Sequence, residues 1–270
     1  MITYLKQHET EIFELLEKLV NIDSGTYVKG GTDRVGQVLK EAYEKEGFDV
    51  QVHRLGEYGG HLQIKATKDA QPKILIVGHM DTVFPEGTAK ERPFYRDKDK
   101  AYGPGVSDMK ACLVSVLYAL KALKASGDPS YQNVEIIMNS DEEIGSPTSR
   151  ELIEETARQK ECAIIVEPAR GEKDYIVTQR KSCSRYFVTV TGRGAHAGSN
   201  PEDGISAIEE MAHKVLKFQA LNDYDAGITV NVGLIEGGTS ANAIPPECKV
   251  AIDVRTMTLE QAEEIGINMK

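Results

Sequence analysis

Residues 74–81 read Ile-Leu-Ile-Val-Gly-His-Met-Asp, a short apolar run that leads directly into a histidine and an aspartate. The apolar part, 74–77, has the length of a buried strand. Residues two apart in an extended chain point to the same side, so His79 and Asp81 are expected to face together. Imidazole suits zinc, and a carboxylate beside it can accept the other ring N–H. In isolation the pair is better explained as a capping histidine and a turn aspartate, because two-residue motifs recur freely, so its meaning depends on the surrounding chain.

Apolar runs and helical spacing alternate around this stretch. Two further buried strands are predicted at 134–138 and 163–166. Helical periodicity is present at 2–20, 35–45, 109–125 and 150–158. The alternation predicts an α/β domain, a mainly parallel sheet flanked by helices, with ligands at the carboxyl ends of its strands.

A different pattern begins near Gln179. Strands are predicted at 185–191, 228–235 and 248–254, and helices at 204–221 and from Leu259 onward. This β-α-β-β-α order is that of a ferredoxin-like α+β unit without its last strand. We therefore predict two domains, a catalytic metal-binding domain over 1–178 and a second domain over 179–270.

Composition narrows the class of protein. The 270 residues include 42 Asp and Glu against 32 Lys and Arg, a formal charge of -10 that disfavours a nucleic-acid partner. No apolar run approaches the roughly 20 residues that cross a bilayer, and the first residues are acidic, unlike a leader, so no membrane association and a cytoplasmic location are expected. Four widely spaced cysteines without a Cys-x-x-Cys pair indicate neither a thiolate zinc site nor a disulfide framework.

Acidic residues follow each of the other predicted strands. The sequence Asn-Ser-Asp-Glu-Glu occupies 139–143, and Glu167 with Pro168 follows the third strand. Between the first strand and the next helix, the turn Tyr-Gly-Pro-Gly at 102–105 leads to Asp108. The stiffness of proline and the freedom of glycine would let this loop bring a carboxylate close to a metal ion.

Each acidic stretch also has a simpler interpretation. Asp108 could cap the helix that follows it, and 141–143 could be a solvated acidic turn. Because the ends of three neighbouring strands meet at one rim, their convergence favours a metal site. One imidazole with several carboxylates and no thiolate fits a pair of zinc ions, with cobalt or manganese as substitutes, and Asp108 is the candidate bridging ligand.

With these residues placed, the sequence resembles the peptidase M20 family of metallopeptidases, most closely its carboxypeptidase G2 (glutamate carboxypeptidase) branch. The matching blocks are Gly78–Val83, Tyr102–Gly105 with Asp108–Lys110, Asp141–Ser146, and Glu167–Pro168. The resemblance implies a zinc-exopeptidase-like fold carrying an inserted lid and dimerisation domain. It also implies that His79 and Glu167 hold one zinc, Glu143 the other, and Asp108 both. Asp81 would orient His79, and Glu142 would be the general base.

The second domain carries further blocks of the same resemblance. Gly194–Gly198 matches the lid segment whose histidine stabilises an oxyanion in the partner subunit, a role that would fall to His196. Asn242 and Arg255 match residues that grip the substrate's carbonyl and carboxylate. The alternatives are a plain glycine-flanked turn for His196 and an exposed strand residue for Arg255. A homodimer formed through the lid domain is expected.

The resemblance predicts a di-zinc amidohydrolase acting on a small peptide, a carboxypeptidase releasing a C-terminal residue such as glutamate. An N-acyl amino-acid deacylase of the acetylornithine deacetylase or succinyl-diaminopimelate desuccinylase type is the alternative, since its chemistry is the same. Family members return to the catalytic domain and supply a second histidine ligand. We therefore expect both domains to be incomplete here, with impaired loading of one zinc ion and little activity. A third hypothesis is that the chain acts as a binding or dimerisation module.

Overall fold

The computed structural model describes residues 1–54, 56–169 and 175–269. The chain divides into two compact units, Met1–Ala169 and Arg170–Lys270, each with most of its contacts within itself. This division lies earlier in the chain than residue 178, and the domain assignment of 1–178 and 179–270 stays a prediction.

The first unit is built on a five-stranded sheet. In chain order its strands and one separate hairpin are β1 (Asp49–His53), β2 (His61–Lys65), β3 (Ile74–His79), β4 (Tyr95–Asp97), β5 (Lys100–Tyr102), β6 (Val134–Asn139) and β7 (Cys162–Ile165). The sheet order is β1-β2-β6-β3-β7, and β4 pairs with β5 alone. Strand β3 is parallel to β6 and β7, as predicted. The sheet as a whole is mixed, because β1 and β2, which the sequence did not indicate, add two antiparallel pairings.

Helices cover both faces of this sheet. They are α1 (Ile2–Gln7), α2 (Glu9–Val20), α3 (Lys29–Lys45), α4 (Thr88–Glu91), α5 (Ala111–Ala125) and α6 (Arg150–Ala157). Leu19 of α2, Leu39 of α3 and Leu117 of α5 join one buried core against the sheet. On the other face α6 packs on Leu75 and Val77. The predicted α/β layering is confirmed, although the first predicted helix is interrupted at His8.

Strand β7 departs from its prediction as a buried strand. All of its residues are exposed, and Ile165 keeps 57% of its surface accessible. The reason is position: among the described residues β7 pairs with β3 alone, so it forms an edge of the sheet.

The second unit has the predicted β-α-β-β-α order. Its elements are β8 (Ser184–Thr191), α7 (Ala207–Gln219), β9 (Thr229–Gly237), β10 (Glu247–Arg255) and α8 (Leu259–Asn268). The strands form an antiparallel sheet in the order β8-β10-β9. Met211 and Ile265 from the two helices pack on Val250 and Ile252 of the central strand. Across both units, no described helix combines the length and apolar character needed to cross a bilayer.

Candidate metal centre

His79 stands at the carboxyl end of β3 with its side chain almost completely buried. Its Nδ1 lies 2.9 Å from the backbone oxygen of Asp81 and 3.4 Å from the Asp81 carboxylate. These contacts fix the ring so that Nε2 points away from β3. Asp81 therefore contacts the ring as expected, with its backbone oxygen closer than its carboxylate.

Carboxylates converge on the Nε2 atom of His79. Asp108 Oδ1 lies 2.9 Å away, Glu167 Oε1 3.5 Å and Glu142 Oε2 4.0 Å. Potential ligand atoms of two overlapping groups lie within 4.8 Å of one another, namely His79 with Glu142 and Glu167, and His79 with Asp108 and Glu143. The structure thus brings together the histidine and the four acids expected from the sequence.

The loop that carries Asp108 shows why glycine is needed there. Gly103 and Gly105 have φ values of 144° and 74°, which residues other than glycine rarely adopt. A Cβ atom at Gly105 would also lie 2.6 Å from the side chain of Thr82. The turn leads into an irregular segment, Val106–Lys110, in which Asp108 and Met109 have non-helical φ and ψ, and the N-cap residue of α5 is Lys110. The alternative role of Asp108 as a simple helix cap is therefore not what the structure shows.

Asp81 links the two halves of the site. Its buried carboxylate accepts a 2.7 Å hydrogen bond from Thr26 Oγ1 and 3.2 Å bonds from the backbone N–H groups of Glu142 and Glu143. The aspartate that contacts His79 therefore also holds the turn that presents the paired glutamates, a 3-10 segment over Glu142–Ile144.

A second buried acid anchors this turn, and sequence reasoning gave it no separate role. Asp141 accepts hydrogen bonds from Thr148 N and from Ser149 Oγ, both at 2.6 Å. His61 is fully buried beside it, with Nε2 3.0 Å from Thr148 Oγ1 and Nδ1 accepting from Ser140 N at 3.2 Å. The Thr-Ser pair following the acids was the signal for a hydrogen-bonded anchor.

The electrostatics of the site favour a cation. Burial disfavours the imidazolium form of His79, but hydrogen bonds to Asp81 and Glu167 outweigh it and raise its pKa to about 11. Burial raises the pKa of Glu143 to about 7 against the attraction of His79, and the carboxylate of Asp108 adds to the rise. Burial also raises the pKa of Glu142. Acids held this close repel one another, and a divalent cation would relieve that repulsion. The oxygen-rich donor set with one imidazole fits zinc and its usual substitutes.

The predicted lid residues lie in the second unit. His196 forms an isolated bridge with Ala243, and its Nδ1 accepts from the N–H groups of Gly198 and Ser199 at 3.1 Å. Ala197 N donates to the backbone oxygen of Asn242 at 2.9 Å, so the segments around His196 and Asn242 are neighbours.

Arg255, at the end of β10, forms a two-pronged pair with Asp253. The distances are 2.8 Å from Nε to Oδ1 and 3.1 Å from Nη2 to Oδ2. An incoming carboxylate would have to compete with Asp253 for this guanidinium.

Comparison with known proteins agrees with this geometry. Residues 178–270 match the model of the peptidase dimerisation domain of M20 enzymes, and residues 61–183 match that of peptidase family M28. The chain is 32% identical over 246 residues to carboxypeptidase G2 of Pseudomonas sp. (strain RS-16), with 90% of this chain and 59% of that protein covered. It is 28% identical to acetylornithine deacetylase of Proteus mirabilis (strain HI4320), with 93% and 69% covered. An M20 family metallo-carboxypeptidase of Sulfolobus solfataricus shares the fold, with a TM-score of 0.74, 17% identity, and 96% and 75% covered.

The fold is shared with a solved M20 metallo-carboxypeptidase, and the residues gathered at His79 could hold a metal ion. The dimerisation-domain match covers residues 178–270, and the chain is similar to M20 peptidases in sequence and in fold. It spans about six-tenths of the length of carboxypeptidase G2.

Proposed function

We propose that the chain is the metal-binding part of a di-zinc hydrolase that cleaves an amide bond, as a carboxypeptidase releasing a C-terminal amino acid such as glutamate. The observation that carries this proposal is the convergence of Asp108, Glu142 and Glu167 on Nε2 of the buried His79. The similarity to carboxypeptidase G2 supports the choice of substrate class.

In this proposal His79 and Glu167 would hold one zinc ion, Glu143 would hold the second, and Asp108 would be a ligand of both, with cobalt or manganese as possible substitutes. Such ions, when bound, lower the pKa of water and polarise a carbonyl group. Asp81 keeps the ring of His79 in place through contacts that need no metal.

Glu142 is the proposed general base. It accepts a proton from the attacking water and returns it to the leaving nitrogen of the amide. Its carboxylate is half exposed and close to His79 Nε2, so it can reach both the site and a water molecule.

The second unit is proposed to supply the substrate contacts. His196 would stabilise the oxyanion, and Asn242 and Arg255 would hold the substrate's carbonyl and carboxylate. The match of 178–270 to a dimerisation domain supports a homodimer formed through this unit. The four cysteines are all free, which supports a reducing, cytoplasmic location.

A deacylase is the second candidate, favoured by the similarity to acetylornithine deacetylase. Hydrolysis rates for glutamate-ending dipeptides, folate-type glutamates and N-acetyl amino acids would separate the two activities. A catalytically impaired binding or dimerisation module is the third candidate.

The decisive variant is Glu142→Gln, with Glu151→Gln on the exposed side of α6 as the matched control. Calorimetric titration with Zn²⁺ should show binding to the native chain and to both variants. Turnover should fall about 100-fold or more in Glu142→Gln alone, the usual contribution of a general base. A native chain that takes up no divalent ion would overturn the proposed metal centre. Bound zinc with turnover insensitive to Glu142→Gln would overturn its role as base, and bound zinc without any turnover would favour the binding module.

A further inference from the structure

A pocket of about 480 Å³ opens beside the proposed metal centre, within the first unit. Three segments line it, namely residues 25–28, residues 82–86, and Glu143 with Ile144. Its volume is in the range of pockets that hold small organic ligands. Since Glu143 belongs both to this pocket and to the metal-ligand set, a molecule in the pocket lies next to the site.

Hydrogen bonds fix the pocket walls relative to the metal ligands. Gly25 and Thr82 form a parallel bridge, and Thr82 N donates to Ser24 O at 2.9 Å. The adjacent Thr26 hydroxyl donates to Asp81, the residue that contacts His79. The far end of the second wall is held by Asp23, whose carboxylate accepts from the backbone N–H groups at 87 and 89 at 2.8 and 2.7 Å. The pocket is therefore built into the same framework as the site.

The chemistry of the lining is apolar and, where charged, acidic. Tyr27, Val28, Val83, Phe84, Pro85 and Ile144 supply apolar surface. The charged lining residues are both glutamates, at 86 and 143, and the described lining includes no lysine or arginine. Arg92 stacks on the Phe84 ring, 4.9 Å from its centroid, outside the lining. A carboxylate entering the pocket would meet the negative charge of Glu86 and no lysine or arginine among the described lining residues, whereas an apolar group would meet apolar walls.

Two of the apolar side chains are unusually open to solvent. Tyr27 is 77% exposed and Val83 is 69% exposed. Apolar surface grouped in a concave region beside a candidate active site is a common property of ligand-binding sites.

We propose that this pocket binds an aliphatic or aromatic side chain of the substrate, on one side of the amide bond that is cleaved. The inference rests on the proposed function and deepens it, because it names the substrate group that the first unit selects. A substrate with an acidic side chain must have that group held elsewhere, on the other side of the amide.

The test uses Val83→Arg, which places a cation at the pocket mouth at an already exposed position. Ile2→Arg is the control, because Ile2 is 72% exposed and is not among the lining residues. Hydrolysis is compared for dipeptides that carry leucine or glutamate in turn on each side of the amide. The native chain should favour leucine over glutamate by about 10-fold or more on one side, the usual effect of an apolar pocket. Val83→Arg should reverse that preference on the same side, and Ile2→Arg should leave it unchanged.

A binding measurement keeps the proposal testable without turnover. Saturation-transfer NMR of free leucine and glutamate, with zinc added to the chain, should show contact with the leucine methyl groups that Val83→Arg abolishes. If the native chain neither hydrolyses these dipeptides nor binds zinc but still contacts leucine, the proposed function is overturned and the pocket proposal stands. Normal hydrolysis with glutamate preferred on both sides, an unchanged preference in Val83→Arg, or no leucine contact would overturn the pocket proposal.

Discussion

The substitution Gly25→Ala tests how the metal centre is held in the fold. Gly25 packs so closely on the 82–84 segment that an added Cβ would overlap the backbone oxygen of Phe84. A flexible side chain could move aside, but a backbone carbonyl is fixed by the chain around it. Segment 24–26 must therefore separate from segment 82–84.

Three hydrogen bonds depend on this approach. Thr82 N to Ser24 O is 2.9 Å, Thr26 N to Thr82 O is 3.3 Å, and Thr26 Oγ1 to the Asp81 carboxylate is 2.7 Å. The two neutral bonds contribute about 1 kcal/mol each and the bond to the carboxylate about 1.5 to 3 kcal/mol. Replacing glycine by alanine also restricts the unfolded chain, which returns less than about 1 kcal/mol. We expect Gly25→Ala to lower the free energy of unfolding by about 2.5 to 5 kcal/mol.

Urea unfolding followed by circular dichroism measures this change, and hydrogen exchange at the Thr82 amide locates it in the first unit. Gly30→Ala in α3 is the control, because the Cβ there would meet only the end of the Arg34 side chain, at 3.8 Å. It should be neutral or stabilise the chain by up to about 1 kcal/mol. Because Asp81 supports His79, the zinc affinity of Gly25→Ala should also fall about 10- to 100-fold. Equal urea midpoints for Gly25→Ala and the native chain would refute the reasoning.

Two further predictions concern buried charged groups in the same unit. Burial lowers the pKa of His61 below its ordinary value of 6.5, despite the attraction of Asp141. As the pH falls, the unfolded chain takes up a proton at this residue before the folded chain does, so the free energy of unfolding decreases as the pH drops below that value. Urea unfolding between about pH 7 and pH 5 should show this loss, and His61→Asn should make the dependence shallower; an identical slope would contradict it. Lys160 pairs with Glu135 at 2.7 Å, both side chains being about 5% exposed, so Lys160→Met should cost about 3 to 5 kcal/mol by leaving a buried carboxylate unpaired. The double variant Lys160→Met with Glu135→Leu should regain most of that stability, and a double variant less stable than Lys160→Met would show that the unpaired carboxylate is not the cause of the loss.

The sequence predicted those strands and helices whose pattern of apolar residues fits only one kind of element. Strands β3 and β6 are apolar throughout and stand between helices with clear periodicity, so both the type and the order of these elements could be read directly. Their carboxyl ends lie side by side because parallel neighbours must end at the same edge. For that reason His79 and the acids at 142 and 143 could be expected to meet before any coordinates were known.

The parts that were missed depend on contacts distant in sequence. Strand β2, His-Leu-Gln-Ile-Lys at 61–65, has two apolar residues among polar ones, and its place is set by antiparallel pairing with β1 and β6. His61 is buried only because that pairing brings it beside Ser140 and Thr148. Conversely, β7 has the composition of a central strand and lies exposed at an edge, since composition does not specify how many neighbours a strand has.

The acids of the site are divided between two kinds of surroundings. In each of the two segments that meet at His79, one aspartate is buried and satisfied by donors of the fold, Asp81 by Thr26 and Asp141 by Thr148 and Ser149. Neighbouring glutamates lack this support, and burial raises the pKa of both Glu142 and Glu143. The satisfied aspartates can stabilise the fold without a metal ion, whereas the glutamates add repulsion that His79 offsets in part and that a divalent cation would offset further. The repulsion between the glutamates is therefore present in the folded chain before any metal ion binds. The hydrogen bonds around the two aspartates hold the glutamates in place despite that repulsion.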